Sequence, residues 1–506
     1  MPPRPHAPFR PDPTLQAFRG EARVSASLHS LEMTLLVIVA INLCFTPWAL
    51  GTMHPWSQFI SLALAVAAFC VALVNRHYSD NHSQEGSFKL VMWPKLIRFP
   101  LFWLGLALFG YIAIQALNPA WAYAINGHQW WLVPLEHITW LPSSIESPFK
   151  EMNVWRALML YATPWMVVCA IWVGFTRRTA IQHLLTVVVA NGAVLAIVGI
   201  LERVTRTDKI LWIVPNYDFR NFFSTIIYKN HAGAYFNLVF MLGATLFYWY
   251  FSRGERRLER ASPAPIFAFL CALLGMAVLL TSSRAATILL VGFILVAFIG
   301  FIVRCALTRG EGRSPFAIGL LCVFFAFFIG LGAYFLNLNN TFNRVGKLIE
   351  DGKTDYSVSS RLVVREAAME MANDNLVTGW GAGSFRFMFP AYQRFHPEIY
   401  LDPNHPERML GWEYAHNDYV QLLDELGLIG ATLILAMLAC GVRHLWKQRI
   451  HVRPHLLVIA LALAITMAHA FVDFPSHNPA ILLLWGTSAA LLGRWAELEA
   501  RRDASR

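Results

Sequence analysis

"YAHNDYVQLLDELGLIGATLILAMLACGV", residues 414–442, opens on His416, Asn417 and Asp418 and closes on a run with no charged residue between Glu425 and Arg443. A run of that kind approaches the roughly 20 residues that a helix needs to cross a bilayer. Its polar head then sits at the mouth of a membrane segment. Asp418, Gln421 and Glu425 trace a polar stripe over two turns, and Tyr419, Val420 and Leu423 an apolar one. Either Asn417 or Asp418 can cap the helix. Gly427 and Ala431, four apart, form a small-xxx-small pattern that permits close helix packing.

The whole chain follows the same pattern. It is 506 residues long, 56% hydrophobic and 14% charged, where a soluble domain carries about a quarter charged residues. Hydropathy predicts twelve spans, near 32–51, 57–75, 99–117, 157–175, 182–201, 231–251, 264–281, 285–303, 316–337, 420–442, 455–474 and 478–493. The expected fold is therefore an all-α polytopic membrane protein with about twelve transmembrane helices and one large, partly helical outer loop over 338–416. Residues 1–30 read as a disordered cytoplasmic tail and 497–506 as a second one. Between them, 31–225 holds the first five spans and 226–496 the rest.

An even number of spans puts both ends on one side. Most of the 41 Lys and Arg residues then fall in the same compartment as the termini, in stretches such as "RGERRLER", "RCALTRGEGR" and "RHLWKQRIHVR". The positive-inside rule makes that compartment the cytoplasm. The net charge of +10 is this topology signal and gives no reason to invoke nucleic acid. The seven cysteines lie in or beside apolar segments without CxxC spacing, which suits small core side chains rather than disulfides or zinc.

Residues suited to chemistry gather on the outer face. Arg284, in "LLTSSRAATILL", stands between two apolar runs, where an ionisable group marks a functional site or snorkels to the headgroups. Arg361 and Arg365 share a helix face in "SSRLVVREAAMEMAND", a fork for a phosphate unless Glu366 or Glu370 neutralises it. The serines there read as helix caps. Asn230 and His231 precede the sixth span, and His469, Asp473 and His477 cluster in "HAFVDFPSHNPA". "GWGAGSF", residues 379–385, lacks the ending and strand context of a nucleotide loop. A metal site from His396, His405, Glu407 and His416 has no supporting ligand spacing. The Trp-rich stretch "HQWWLVPLEHITWLPSSIESPF" suits a membrane interface.

Four stretches in fixed order, "NHAGAYFNL", "TSSRAATILL", "SSRLVVREAAMEMANDNLVTGWGAGSF" and "HNDYVQLLDELGLIGA" followed by "VDFPSHNPA", resemble the O-antigen ligase and O-antigen polymerase superfamily of bacterial envelopes. The resemblance covers roughly residues 228–480. It implies a GT-C-like inner-membrane glycosyltransferase whose donor is an undecaprenyl-pyrophosphate-linked glycan on the periplasmic leaflet. The acceptor is a hydroxyl on another glycan or on lipid A–core, and neither cofactor nor metal is needed. Membrane lipid surrounds the site, and a chain-length regulator or flippase of the same pathway is the implied protein partner. Carried over residue by residue, the family's histidine falls on His416 as general base, and its pyrophosphate-binding arginines fall on Arg284 and Arg361, with Arg365 beside them. Asn230, His231, Asn417, Asp418 and Asp473 support them. The N–H groups at the start of the helix after His416 are expected to point at the same anion.

Ligase, polymerase and protein O-oligosaccharyltransferase share this signature. A transporter is the reading from another class. It would be expected to show two similar halves and charges near the bilayer midplane, whereas here the longest loop is outer and no repeat is evident.

Overall fold

The computed structural model describes residues 28–78, 88–127, 129–215, 221–257, 262–307, 330, 356–402 and 405–504. The expected tail up to residue 27, most of the ninth span at 316–337 and the loop over 338–355 lie outside the described residues. Helices occupy the other expected spans. They are α1 (Ser30–Trp48), α2 (Pro55–Leu73), the short α3 (Trp93–Ile97), α4 (Pro100–Leu117), α5 (Val154–Gly174) and α6 (Arg178–Thr205). Beyond these come α7 (Lys229–Arg257), α8 (Ala264–Leu280) and α9 (Arg284–Leu307). Three helices of the long loop follow, α10 (Tyr356–Asp374), α11 (Phe385–Gln393) and α12 (Pro397–Tyr400). The last three are α13 (Asp418–Lys447), α14 (Pro454–His469) and α15 (Pro479–Ala504). Seven of these, α1, α2, α4, α5, α6, α7 and α13, are long and apolar enough to cross a membrane. α15 runs on through most of the expected second tail.

Local signals set the helix starts. Pro55, Pro100 and Pro454 open α2, α4 and α14 at a position where a missing N–H costs nothing. Asn153 caps α5 by accepting from the Arg156 amide. The main core joins α1, α2, α5–α9, α14 and α15 through side chains such as Leu35, Ile181, Phe236, Leu274 and Trp495. At the end of the bundle where α1 begins, buried Glu32 in its first turn accepts from Arg76, 3.3 Å away, and from the Thr176 and Arg177 amides. That carboxylate ties three segments together and would be costly to leave unpaired.

At the opposite end the chain is not all helix. The Trp-rich segment forms a hairpin of β3 (Pro119–Asn126) and β4 (Gln129–Pro134), with β5 (Ser144–Glu146) parallel to β3. Short two-residue and three-residue ladders precede and follow it, β1 (Arg76–Tyr78) with β2 (Phe88–Leu90), β6 (Lys209–Ile210) with β7 (Val214–Pro215), and β8 (Leu401–Asp402) with β9 (His405–Met409). One face of the β3–β4 hairpin, through Trp121, Tyr123 and Leu132, packs on a second core made by α10, α11 and the start of α13. β-branched and aromatic residues alternating with alanine favour that hairpin in the Trp-rich segment.

Two further expectations are corrected here. α10 begins at Tyr356, so Ser359 and Ser360 lie inside it and are not its caps. Gly427 does not support helix–helix packing. It breaks α13, with φ 59° and ψ −167°. The "GWGAGSF" loop fills the break. Leu428 N donates to Leu376 O at 2.8 Å, Trp380 N to Asp424 O at 2.7 Å and Gly381 N to Glu425 O at 3.0 Å. These bonds take up donors and acceptors that the broken helix leaves open. Gly379, at φ +67°, faces Gly427 so closely that a Cβ on it would stand 2.6 Å from the Gly427 nitrogen. From α4, Gln115 donates to Thr378 O and Glu425 O and accepts from Ala382 N, and Tyr111 donates to Leu426 O.

Candidate functional site

The turn into α13 and the loop after α14 cross, each supplying one histidine and one aspartate. His416 Nδ1 lies 3.5 Å from Asp473 Oδ1, and His477 Nδ1 lies 2.8 Å from Asp418 Oδ1. The backbone joins the same loops, for Asp418 N donates to Ala470 O, Ser476 N to the Asp418 carboxylate and Asn417 Nδ2 to Phe471 O.

The sequence produces this locally. Asn417, not Asp418, is the cap, its Oδ1 accepting from the Tyr419 and Val420 amides. Asp418 is thereby left to the neighbouring loop. The expectation that the amides of this helix start bind an anion is overturned. Those of Asp418, Tyr419, Val420 and Gln421 are all taken by Ala470 O and by Asn417. His416 itself has φ 51°, a left-handed conformation that costs a non-glycine residue about 1–2 kcal/mol. The turn is held from below. Gln421 accepts from the Ala415 amide and donates to Glu425, whose other oxygen accepts from Gly383 N at 2.8 Å.

Phe474 is the centre of the cluster. Tyr414 stacks on it at 4.2 Å between centroids and Tyr228 at 5.5 Å. The rings of His231 and His416 meet it edge-on at 4.7 and 4.8 Å. Such contacts fix ring planes, each worth about 0.5–1.5 kcal/mol beyond area burial. His416 is held between Phe474 and Trp412, its side chain 17% exposed, whereas Asp473 is 1% exposed. One face of His416 is thus rigid and the remainder accessible.

Charge is supplied from α10. Arg361 donates to the Tyr228 hydroxyl at 3.1 Å and to Val472 O at 3.2 Å, and Asn230 Nδ2 donates to the same hydroxyl at 2.7 Å. Burial pushes the Asp473 carboxyl up, but His416, His231, His469 and Arg361 outweigh it and leave it lowered to about 2. Burial and the charge of Asp473 push the Tyr228 phenol up, so it remains a protonated donor facing Asp473. For His477, burial acts downward and the Asp418 carboxylate upward, with a net raise.

His416, Asn417, Asp418, Asp473, Asn230, His231 and Arg361 are therefore brought together. Arg284 is exposed at the start of α9 at the same end of the bundle, where Gly233 of α7 packs on Ser283 and Ala286. Arg365 is exposed one turn along α10 from Arg361. Glu370 pairs with His396 at 3.2 Å, not with either arginine. Sequence reasoning missed Tyr228, Tyr414, Phe474 and Arg386, which donates to the Tyr414 hydroxyl at 3.2 Å. Tyr414 and Phe474 each flank a polar cluster, the one signal that singles them out.

Fold and site together define an integral membrane protein with a buried His–Asp pair and an arginine at one end of its bundle. Residues 267–435 match the model of the O-antigen ligase family, a similarity that supports the resemblance to the O-antigen ligase and polymerase superfamily and a membrane enzyme of that type. The matched segment contains Arg284, Arg361, Arg365 and His416 but neither Asn230 nor Asp473. No curated protein matches the chain.

Proposed function

We propose that the protein transfers a glycan from an undecaprenyl-pyrophosphate carrier to a hydroxyl acceptor at the periplasmic face of the inner membrane, with both chain termini in the cytoplasm. The observation that carries this reading is His416, left-handed in its backbone and mostly buried, with Nδ1 3.5 Å from buried Asp473 and Arg361 in the same cluster.

The chemistry follows from those groups. With Nδ1–H turned to Asp473, the neutral imidazole presents an unprotonated Nε2 to the acceptor. The acceptor oxygen attacks the anomeric carbon, its proton passes to Nε2, and the bond from that carbon to the pyrophosphate oxygen breaks. The leaving pyrophosphate keeps the electron pair. Arg361, with exposed Arg284 and Arg365 at the same end of the bundle, offsets its growing charge, an effect that grows as the bound donor excludes water. Asp473 stabilises the imidazolium as it forms. Asn230 and Tyr228 position Arg361, and Asn417 and Asp418 fix the turn. A single displacement inverts the anomeric centre, and a product of retained configuration would rule it out.

Substitution of Arg361 tests the donor site. Arg361→Ala should abolish transfer with the protein still inserted, and Arg361→Lys should be impaired because a point charge does not replace a planar fork. Undiminished transfer by Arg361→Ala would remove this arginine from the donor site. The acceptor, whether lipid A–core, a growing glycan or a protein hydroxyl, is to be read from the product.

A further inference from the structure

A second site lies at the end of α6, apart from the His416 cluster. A cavity of about 230 Å³ opens there. Its floor is apolar and rigid. Phe223 packs against the bare backbone of Gly199, where a Cβ would come within 2.4 Å of the ring, and meets Phe236 edge-on at 5.5 Å. Its polar lining carries both signs. Glu202 is 3% exposed, with Oε1 accepting from the Leu211 amide at 2.8 Å. Its Oε2 has no hydrogen-bond partner, although the Ser224 amide faces the carboxyl. Arg203 lies over the Phe223 ring and donates to Phe222 O at 2.8 Å, and exposed Arg206 stands at the mouth.

Three features limit the occupant. The unpartnered carboxylate oxygen in an apolar cavity calls for a cation or an N–H or O–H donor. Exposed Arg206 at the mouth is suited to an anion. The surroundings are apolar and exposed, with Val204 at 72%, Ile213 at 78% and Trp212 at 42%. α6 is long and apolar enough to cross a membrane, so its end stands at headgroup level, where tryptophan also settles. At about 30 Å³ for each water in the liquid, the cavity corresponds to about eight waters. That is room for a headgroup and not for acyl chains.

We propose that this cavity binds a phospholipid headgroup that carries both a phosphate and a primary ammonium, the ammonium on Glu202 Oε2 and the phosphate on Arg206. The acyl chains run outside, along Val204 and Ile213. A purely anionic lipid leaves Glu202 facing like charge. A quaternary ammonium has no N–H to give it.

The full-length protein, reconstituted in vesicles of equal parts phosphatidylethanolamine, phosphatidylglycerol and phosphatidylcholine, is re-extracted and its retained lipid measured by native mass spectrometry. Phosphatidylethanolamine should be retained about tenfold over phosphatidylcholine, as one charge-assisted hydrogen bond allows. Glu202→Gln keeps the Leu211 contact and should bring that ratio to near one, and Arg206→Ala should lower the lipid retained. His416→Ala should retain lipid as the wild type does, which separates this site from the transfer site. Equal retention of all three lipids by the wild type, no retained lipid, or a preference that survives Glu202→Gln overturns the proposal.

Discussion

His416 points its Nδ1 at the Oδ1 of Asp473, 3.5 Å away, while the backbone of His416 is left-handed and Asp473 is almost fully buried. In the proposed mechanism the carboxylate sets the imidazole's tautomer and aim and does not itself meet substrate. Asp473→Asn keeps the shape and removes the charge. Transfer should fall by about 10²-fold or more, the usual scale for a general base set in the wrong tautomer, with expression and membrane insertion unchanged. A wild-type rate in this variant would show that Asp473 does not orient the base.

The same carboxylate makes stability depend on pH. Its folded pKa, about 2, is below the ordinary 3.8, so its contribution is present above about pH 4 and lost as pH falls through 2. The difference amounts to about 2 kcal/mol. His477 is shifted the other way, so its pairing with Asp418 stabilises below pH 6.5 and fades as pH rises through its raised pKa. Thermal unfolding in detergent should show a larger acid loss in the wild type than in Asp473→Asn, because other carboxylates such as Glu497 contribute equally to both. Matching acid profiles for the two proteins would contradict the assignment.

Much of this was legible from residue types. Uninterrupted apolar runs gave the long helices, seven of them long and apolar enough to cross a membrane among the described residues, because a bilayer leaves the backbone few choices. The polar tripeptide at the head of α13 and the "VDFPSHNPA" loop marked the two segments that meet in the candidate site. Pairing was not legible, since nothing in one sequence says that His416 takes Asp473 while Asp418 takes His477. Nor was the break at Gly427, because glycine in a membrane helix reads equally as a packing site. "GWGAGSF" had no evident role until its partner carbonyls were in view. The phenylalanine at 474 looks like any interface aromatic until three loops converge on it.

That glycine contact gives a stability prediction. Gly427→Ala and Gly379→Ala each place a Cβ within 2.6 Å of backbone atoms at positive φ. Each should lower stability by more than about 2 kcal/mol. Gly411, with open space around it, serves as the control, where alanine should change little. Equal melting temperatures for Gly379→Ala and Gly411→Ala would show that the loop does not clasp the break.

Gln115 tests whether the N-terminal half supports the site. It is fully buried and serves two carbonyls and one amide of the clasp from outside the matched segment. Gln115→Leu leaves those groups unpaired and should cost at least about 2 kcal/mol, read as a lower melting temperature. An unchanged melt would mean that the clasp closes without α4.

The most direct measurement is transfer by purified protein in liposomes carrying an undecaprenyl-pyrophosphate-linked glycan and a hydroxyl acceptor, with wild type and His416→Ala compared at equal folded protein. The wild type should release undecaprenyl pyrophosphate and glycosylate the acceptor, and His416→Ala should do neither above background. Near-normal transfer by His416→Ala, or translocation of the lipid without any transfer by the wild type, would contradict the account.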